Sequence, residues 1–193
     1  MKAICVFTGS NEGRHVSYAT AAADLGAALA VAGIELVYGG ARVGLMGRLA
    51  DACLAAGGVV TGVMPQALVE KEIAHVGLTR QHVVHSMHER KAMMADLSDG
   101  FIALPGGAGT LDELFEIWTW AQLGFHRKPV GLLNVAGYYD LLLQFLKNVA
   151  AERFIKDEHL EMLQVADEPG RLLNLFTDYR PPVVSKWIAR PQI

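Results

Sequence analysis

The chain has 193 residues, 52% of them hydrophobic, and carries 17 Lys and Arg against 20 Asp and Glu, a formal charge of −3. That length and apolar content support one sizeable core, so residues 1–193 are expected to form a single domain, and no basic tract exists to neutralise a nucleic-acid polymer. Cys5 and Cys53 form no CxxC pair or disulfide framework, no uncharged apolar run reaches membrane-spanning length, and Met1-Lys2 leads straight into a strand, which together predict a cytoplasmic protein with no membrane partner.

Short β-branched or apolar runs alternate with longer segments of helical period. In chain order the pattern predicts a strand over Ala3 to Thr8 and a helix over Ser17 to Ala32, then Ile34 to Tyr38 followed by Leu45 to Ala56, and the strand Val59 to Met64. A turn around Pro65 and the segment Glu70 to Thr79 read as a loose flap. The strand Gln81 to His85 precedes a helix over His88 to Leu97, Phe101 to Leu104 precedes Leu111 to Gly124, and Val130 to Leu133 precedes Tyr139 to Ala150. Two short helices, 157–163 and 168–176, and a tail close the chain. Such alternation predicts an α/β fold, a Rossmann-like doubly wound parallel sheet with ligands at the carboxyl ends of its strands.

Three loops at those ends are rich in glycine: Thr8-Gly9-Ser10-Asn11-Glu12-Gly13, Tyr38-Gly39-Gly40-Ala41-Arg42-Val43-Gly44-Leu45-Met46-Gly47, and Leu104-Pro105-Gly106-Gly107-Ala108-Gly109-Thr110-Leu111-Asp112-Glu113. Small residues bring backbone amides close to an anion, and the positive end of a helix dipole favours phosphate there. Together the loops nominate Gly9 and Ser10, Gly39, Gly40 and Met46, and Gly106 to Thr110 as ligand-binding positions. None fits the dinucleotide fingerprint, and GxxxxGK[ST] is absent, so a mononucleotide is the expected ligand.

Glu113 carries two readings. With Thr110 it fits a capping box, in which it would only hold the helix start; one turn from a phosphate loop, it would instead face positive charge developing during glycosidic cleavage. Asp112 and Glu116 fit a helix-dipole charge and a solvated face. Arg90 is either a surface arginine paired with Glu89 or Asp96 or a cation facing the glycine loop, the latter if the strands leading to Arg90 and to Gly106 are neighbours. His82, His85 and His88 cross from strand to helix without sharing a face, so no metal is expected. Trp118 continues an apolar stripe with Leu114 and Ala121 and belongs to the core, whereas Trp120 fits either a base pocket or a subunit interface.

Pro105-Gly106-Gly107-Ala108-Gly109-Thr110-Leu111-Asp112-Glu113 resembles the PGGxGTxxE signature of the LONELY GUY (LOG) family, and Met87-His88-Glu89-Arg90-Lys91 resembles that family's second motif. The resemblance extends from the Gly9-Ser10 loop to Lys128-Pro129-Val130-Gly131-Leu132-Leu133-Asn134. It implies a homodimeric, cofactor-free enzyme that hydrolyses cytokinin riboside 5'-monophosphates to free base and ribose 5-phosphate. By motif it implies Arg90 and Glu113 as the catalytic pair, Gly107 to Thr110 as the phosphate site, and Glu72, Lys91 and Thr119 as substrate contacts. Ala108 departs from the tyrosine common in plant members and alters one pocket wall. A lysine decarboxylase label, frequent in such proteins, finds no support, because no lysine stands in these loops to form a Schiff base. The competing readings are a broad AMP nucleosidase and a non-catalytic nucleotide carrier; the Arg90 and Glu113 pairing argues against the carrier.

Overall fold

Along the first strand, β1 (Ala3–Phe7), side chains alternate between two apolar layers: Ala3, Cys5 and Phe7 enter one, Ile4 and Val6 the other. A strand buried on both faces belongs at the centre of a parallel sheet covered on both sides. The computed structural model describes residues 1–71 and 73–182, and places β1 there. The parallel sheet has the order β4-β3-β2-β1-β5-β6-β7, with β2 at Glu35–Tyr38, β3 at Val60–Pro65, β4 at Arg80–Val84, β5 at Gly100–Ala103, β6 at Val130–Leu133 and β7 at Leu163–Ala166.

From β1 the chain moves strand by strand towards one edge through α1 (Val16–Val31), α2 (Gly44–Ala55) and the single turn α3 (Gln66–Val69). It then crosses back through α4 (Met87–Leu97) and moves to the opposite edge through α5 (Ala108–Gln122), α6 (Asp140–Ala151) and α7 (Asp157–Leu160). Because crossovers are right-handed, reversing direction moves the helices to the other face. Residues of α1 and α2, with α8 (Pro169–Asp178), pack in one layer, and residues of α4, α5 and α6 in the other.

Three expectations need correction. The strands preceding Arg90 and Gly106 are not neighbours: β4 lies at the edge, with β3, β2 and β1 between it and β5. Arg90 still reaches the centre because α4 lies over β1, β2 and β3 on its way back. The helix expected over 157–163 stops at Leu160, and Leu163–Ala166 instead pairs with β6 from Val130↔Leu163 to Leu133↔Ala166. An unpaired β6 edge recruits a run too short to announce itself by periodicity. The segment expected as a loose flap is tied down: Ala41 bridges Ala74, Arg42 N donates to Ile73 O at 2.9 Å, His75 N donates to Gly40 O at 2.9 Å, and His75 Nε2 lies 2.9 Å from Asp51 Oδ1.

Candidate active site

Chain direction reverses between β1 and β5, so the helices that follow them, α1 and α5, leave to opposite faces of the sheet and a crevice remains at its carboxyl edge. Gly9 N and Thr8 Oγ1 both donate to Pro105 O, at 3.2 and 3.3 Å, fastening the first glycine loop to the third. Above them lies a cavity of about 310 Å³, lined by Val6 to Ser10, Gly39, Met46, Met87, Arg90, Met94, Gly107 to Thr110, Asp112 and Glu113.

Two helices contribute the charged pair. At the start of α4, Ser86 Oγ accepts from Glu89 N at 3.1 Å while Glu89 Oε2 accepts from His85 N at 2.8 Å, a reciprocal cap that fixes the first turn. Arg90 follows on that turn. Its Nη1 donates to Glu113 Oε1 at 2.7 Å and its Nε to Val63 O at 3.1 Å, while Nη2 lies where a Cβ on Gly39 would stand. Glycine at 39 is therefore the space the guanidinium occupies. Only 11% of the Arg90 side chain and 12% of the Glu113 side chain are exposed, so removing one partner leaves a buried charge, a loss of about 3–5 kcal/mol. Burial raises the Glu113 carboxyl above its ordinary value, and Arg90 offsets only part of that. Cys5, fully buried on β1, is pushed well up by burial and then by the Glu113 charge; its protonated thiol is no nucleophile.

The start of α5 differs from the capping box expected there. Gly107 is the N-cap and makes no side-chain cap, so the helix begins at Ala108, ahead of Thr110. Thr110 is buried within the first turn, and Glu113 spends its carboxylate on Arg90 rather than on a backbone amide. The helix therefore starts three residues earlier than the predicted Leu111, and Thr110 lies inside its first turn. A Cβ on Gly106 would collide with Thr110 Oγ1 and Gly9 N, whereas one on Gly107 or Gly109 would meet nothing within 4 Å. The helix thus offers uncapped amides beside open space, the arrangement that receives an anion.

Of the expected site residues, Gly9, Ser10, Gly39, Met46, Arg90, Gly107, Ala108, Gly109, Thr110 and Glu113 meet at this cavity. Gly106 lines a neighbouring cavity of about 200 Å³ instead. Gly40 accepts from His75, Thr119 is exposed further along α5, and Lys91 Nζ lies 3.3 Å from Asp112 Oδ2 and 3.0 Å from Glu116 Oε2. Burial alone would lower the Lys91 ammonium; Glu116 and Asp112 outweigh it and hold it raised. Glu72 lies outside the described residues. Trp118 is buried and donates Nε1–H to His159 O at 2.9 Å, and Trp120 packs against the core rather than in the cavity. Sequence reasoning missed Met87 and Met94, although with Arg90 they recur at helical spacing, the signal that places them on one face. Among the described residues no group of three or more His, Cys, Asp or Glu is placed to hold a metal ion, and no lysine lines the cavity.

A family model described as possible lysine decarboxylase matches residues 46–176. A cytokinin riboside 5'-monophosphate phosphoribohydrolase of Rhodococcoides fascians is 53% identical over 80% of this chain and 78% of its own length. The cytokinin riboside 5'-monophosphate phosphoribohydrolase LOG1 of Arabidopsis thaliana is 48% identical over 93% of this chain and 84% of its own. Among solved structures, the molybdenum cofactor binding protein of Rippkaea orientalis superposes with a TM-score of 0.68 at 22% identity, covering 92% of this chain and 97% of that one, a likeness of fold.

Proposed function

Because this chain belongs to the LONELY GUY family of cytokinin riboside 5'-monophosphate phosphoribohydrolases, we propose that it hydrolyses the N-glycosidic bond of such nucleotides to free base and ribose 5-phosphate. The observation that carries the reading is the 2.7 Å Arg90–Glu113 pair at the same cavity as the open amides of α5. At about 1.5 Å rise per residue, Glu113 stands about 9 Å along the axis from Gly107, with its side chain leaning back towards the helix start. A phosphate on the amides therefore leaves the sugar beside the carboxylate.

In the reaction, water oxygen bonds to the anomeric carbon as the carbon–nitrogen bond breaks, and its electron pair leaves with the base. One water proton ends on the base nitrogen and the other remains in the new anomeric hydroxyl. Positive charge grows on the ribose meanwhile. In this reading Glu113 stabilises that charge and orients the water, while Arg90 holds the carboxylate and assists the departing base. Met46, Met87 and Met94 give the cavity an adaptable apolar wall suited to a modified adenine. A pyridoxal-dependent decarboxylase is disfavoured because no lysine lines the cavity among the described residues.

Supplying the purified protein with AMP and with isopentenyladenosine monophosphate, then separating products by chromatography, tests the proposal. Faster release of the modified base is expected. Equal rates would make the protein a broad AMP nucleosidase, and no product from either would overturn hydrolysis. We further propose that residues 1–193 work as one cytoplasmic domain within a homodimer. Free, buried Cys5 and Cys53 support a reducing location, and exposed Leu141 and Phe145 on α6 supply apolar surface for self-association, which light scattering checks. Among the described residues no helix is long and apolar enough to cross a membrane.

A further inference from the structure

We infer that Tyr138, which does not line the larger cavity, is a positioning residue that turns the backbone of the glycine loop so that its amides face the anion. The kinetic part of this inference rests on the hydrolase reading above; the binding part rests on the loop geometry alone.

Every carbonyl of the loop is occupied. Leu104 O accepts from Tyr139 Oη at 2.6 Å, and Pro105 O accepts from Thr8 Oγ1 and Gly9 N. Gly106 O accepts from Tyr138 Oη at 2.5 Å, and Gly107 O accepts from Leu111 N at 3.1 Å within the helix. The described peptide bonds are trans, so the Gly106 carbonyl and the Gly107 N–H share a plane and point in opposite directions. Drawing the carbonyl towards Tyr138 aims that N–H away from Tyr138. Since Gly107 also lines the larger cavity, one phenol hydroxyl fixes the orientation of the first free donor of the anion site.

The segment bearing Tyr138 is built rigidly. Asn134 Oδ1 accepts from Tyr139 N at 2.7 Å and Asn134 Nδ2 donates to Asp140 Oδ1 at 2.7 Å, closing a turn in which Ala136 takes φ 51°. A non-glycine residue held in the left-handed region marks a turn whose shape its surroundings enforce. The Tyr138 ring meets Tyr18 edge-on at 5.7 Å and Tyr139 at 4.9 Å, yet 41% of the residue is exposed. Global stability therefore depends little on its hydroxyl.

Tyr138→Phe removes only that hydroxyl. Losing one hydrogen bond of this kind is expected to weaken inorganic phosphate and ribose 5-phosphate binding, read by calorimetry, by about three- to tenfold. KM for AMP should rise by the same factor with kcat within about twofold, since the lost contact holds ground and transition states alike. The melting temperature should stay within about 2 °C. Tyr18→Phe, which keeps the aromatic contact and leaves the Gly106 bond intact, should change neither constant. Unchanged phosphate affinity and KM in Tyr138→Phe, a loss confined to kcat, or an equal effect of Tyr18→Phe would each overturn the inference while leaving hydrolysis standing. Should the wild type release no base, the hydrolase reading fails and the calorimetric comparison decides alone; a wild type that binds neither phosphate nor ribose 5-phosphate overturns the inference too.

Discussion

The starts of α4 and α5 face the same cavity and are built in opposite ways. Helix α4 closes its own end: Ser86 and Glu89 satisfy backbone donors reciprocally, and the turn so fixed delivers a side chain, Arg90. Helix α5 leaves its end open behind Gly107 and delivers backbone amides, with its functional carboxylate placed further along at Glu113. A capped helix start gains a rigid platform and leaves fewer donors for an anion; an uncapped one leaves them all to a ligand or water. The 2.7 Å contact between Arg90 and Glu113 joins the two designs.

Altering the joint gives the largest expected effect. Glu113→Gln should reduce base release by at least about 10²-fold, the scale of losing one positioned charge in a shielded site. Chromatographic detection of free base checks it, and turnover within a few fold of wild type would confine Glu113 to structure. The wild-type pH profile sharpens the same point. Because the Glu113 carboxyl is raised from 4.5, the acid limb of kcat/KM should lie above pH 4.5, with activity lost as the pH falls through the raised value. Stability runs the other way: folding favours the protonated carboxyl, so this contribution is complete below pH 4.5 and lost as the pH rises through the folded value. Thermal melts across that range read it.

Two glycines separate binding from packing at the open helix. Gly107→Ala meets nothing within 4 Å, at φ −88°, so stability should change by no more than about 0.5 kcal/mol while the methyl, standing where an anion would sit, raises KM about tenfold. Gly106→Ala should instead cost about 1–3 kcal/mol, because its methyl collides with Thr110 and Gly9. Equal behaviour of the two variants would erase the distinction. At the closed helix, Ser86→Ala should cost about 1 kcal/mol, or roughly 2–4 °C in melting temperature, and reduce activity less than any change at Glu113.

Much of the architecture is legible along the chain. Ala3 to Phe7 alternates between two layers, Val130 to Leu133 sits between turn signals, and β-helix alternation gives a parallel sheet. The elements whose local pattern points elsewhere are short or held by distant partners. Leu163 to Ala166 becomes a strand only because β6 presents an unpaired edge, and the Thr110-to-Glu113 spacing mimics a cap that the helix register does not use. Local pattern cannot distinguish these cases when a distant partner supplies the deciding energy.

Sequence by itself determined which chemical groups are present: three glycine loops at strand ends, an arginine and a carboxylate in recognisable motifs, and no lysine among the loops. Only tertiary structure decided that β4 lies far from β5, that α4 nonetheless carries Arg90 back across three strands to Glu113, and that the amides of α5 stay open. The reason is physical. Propensity and periodicity act over a turn or two of chain, whereas strand order, crossover direction and the burial of a charged pair depend on residues far apart in sequence.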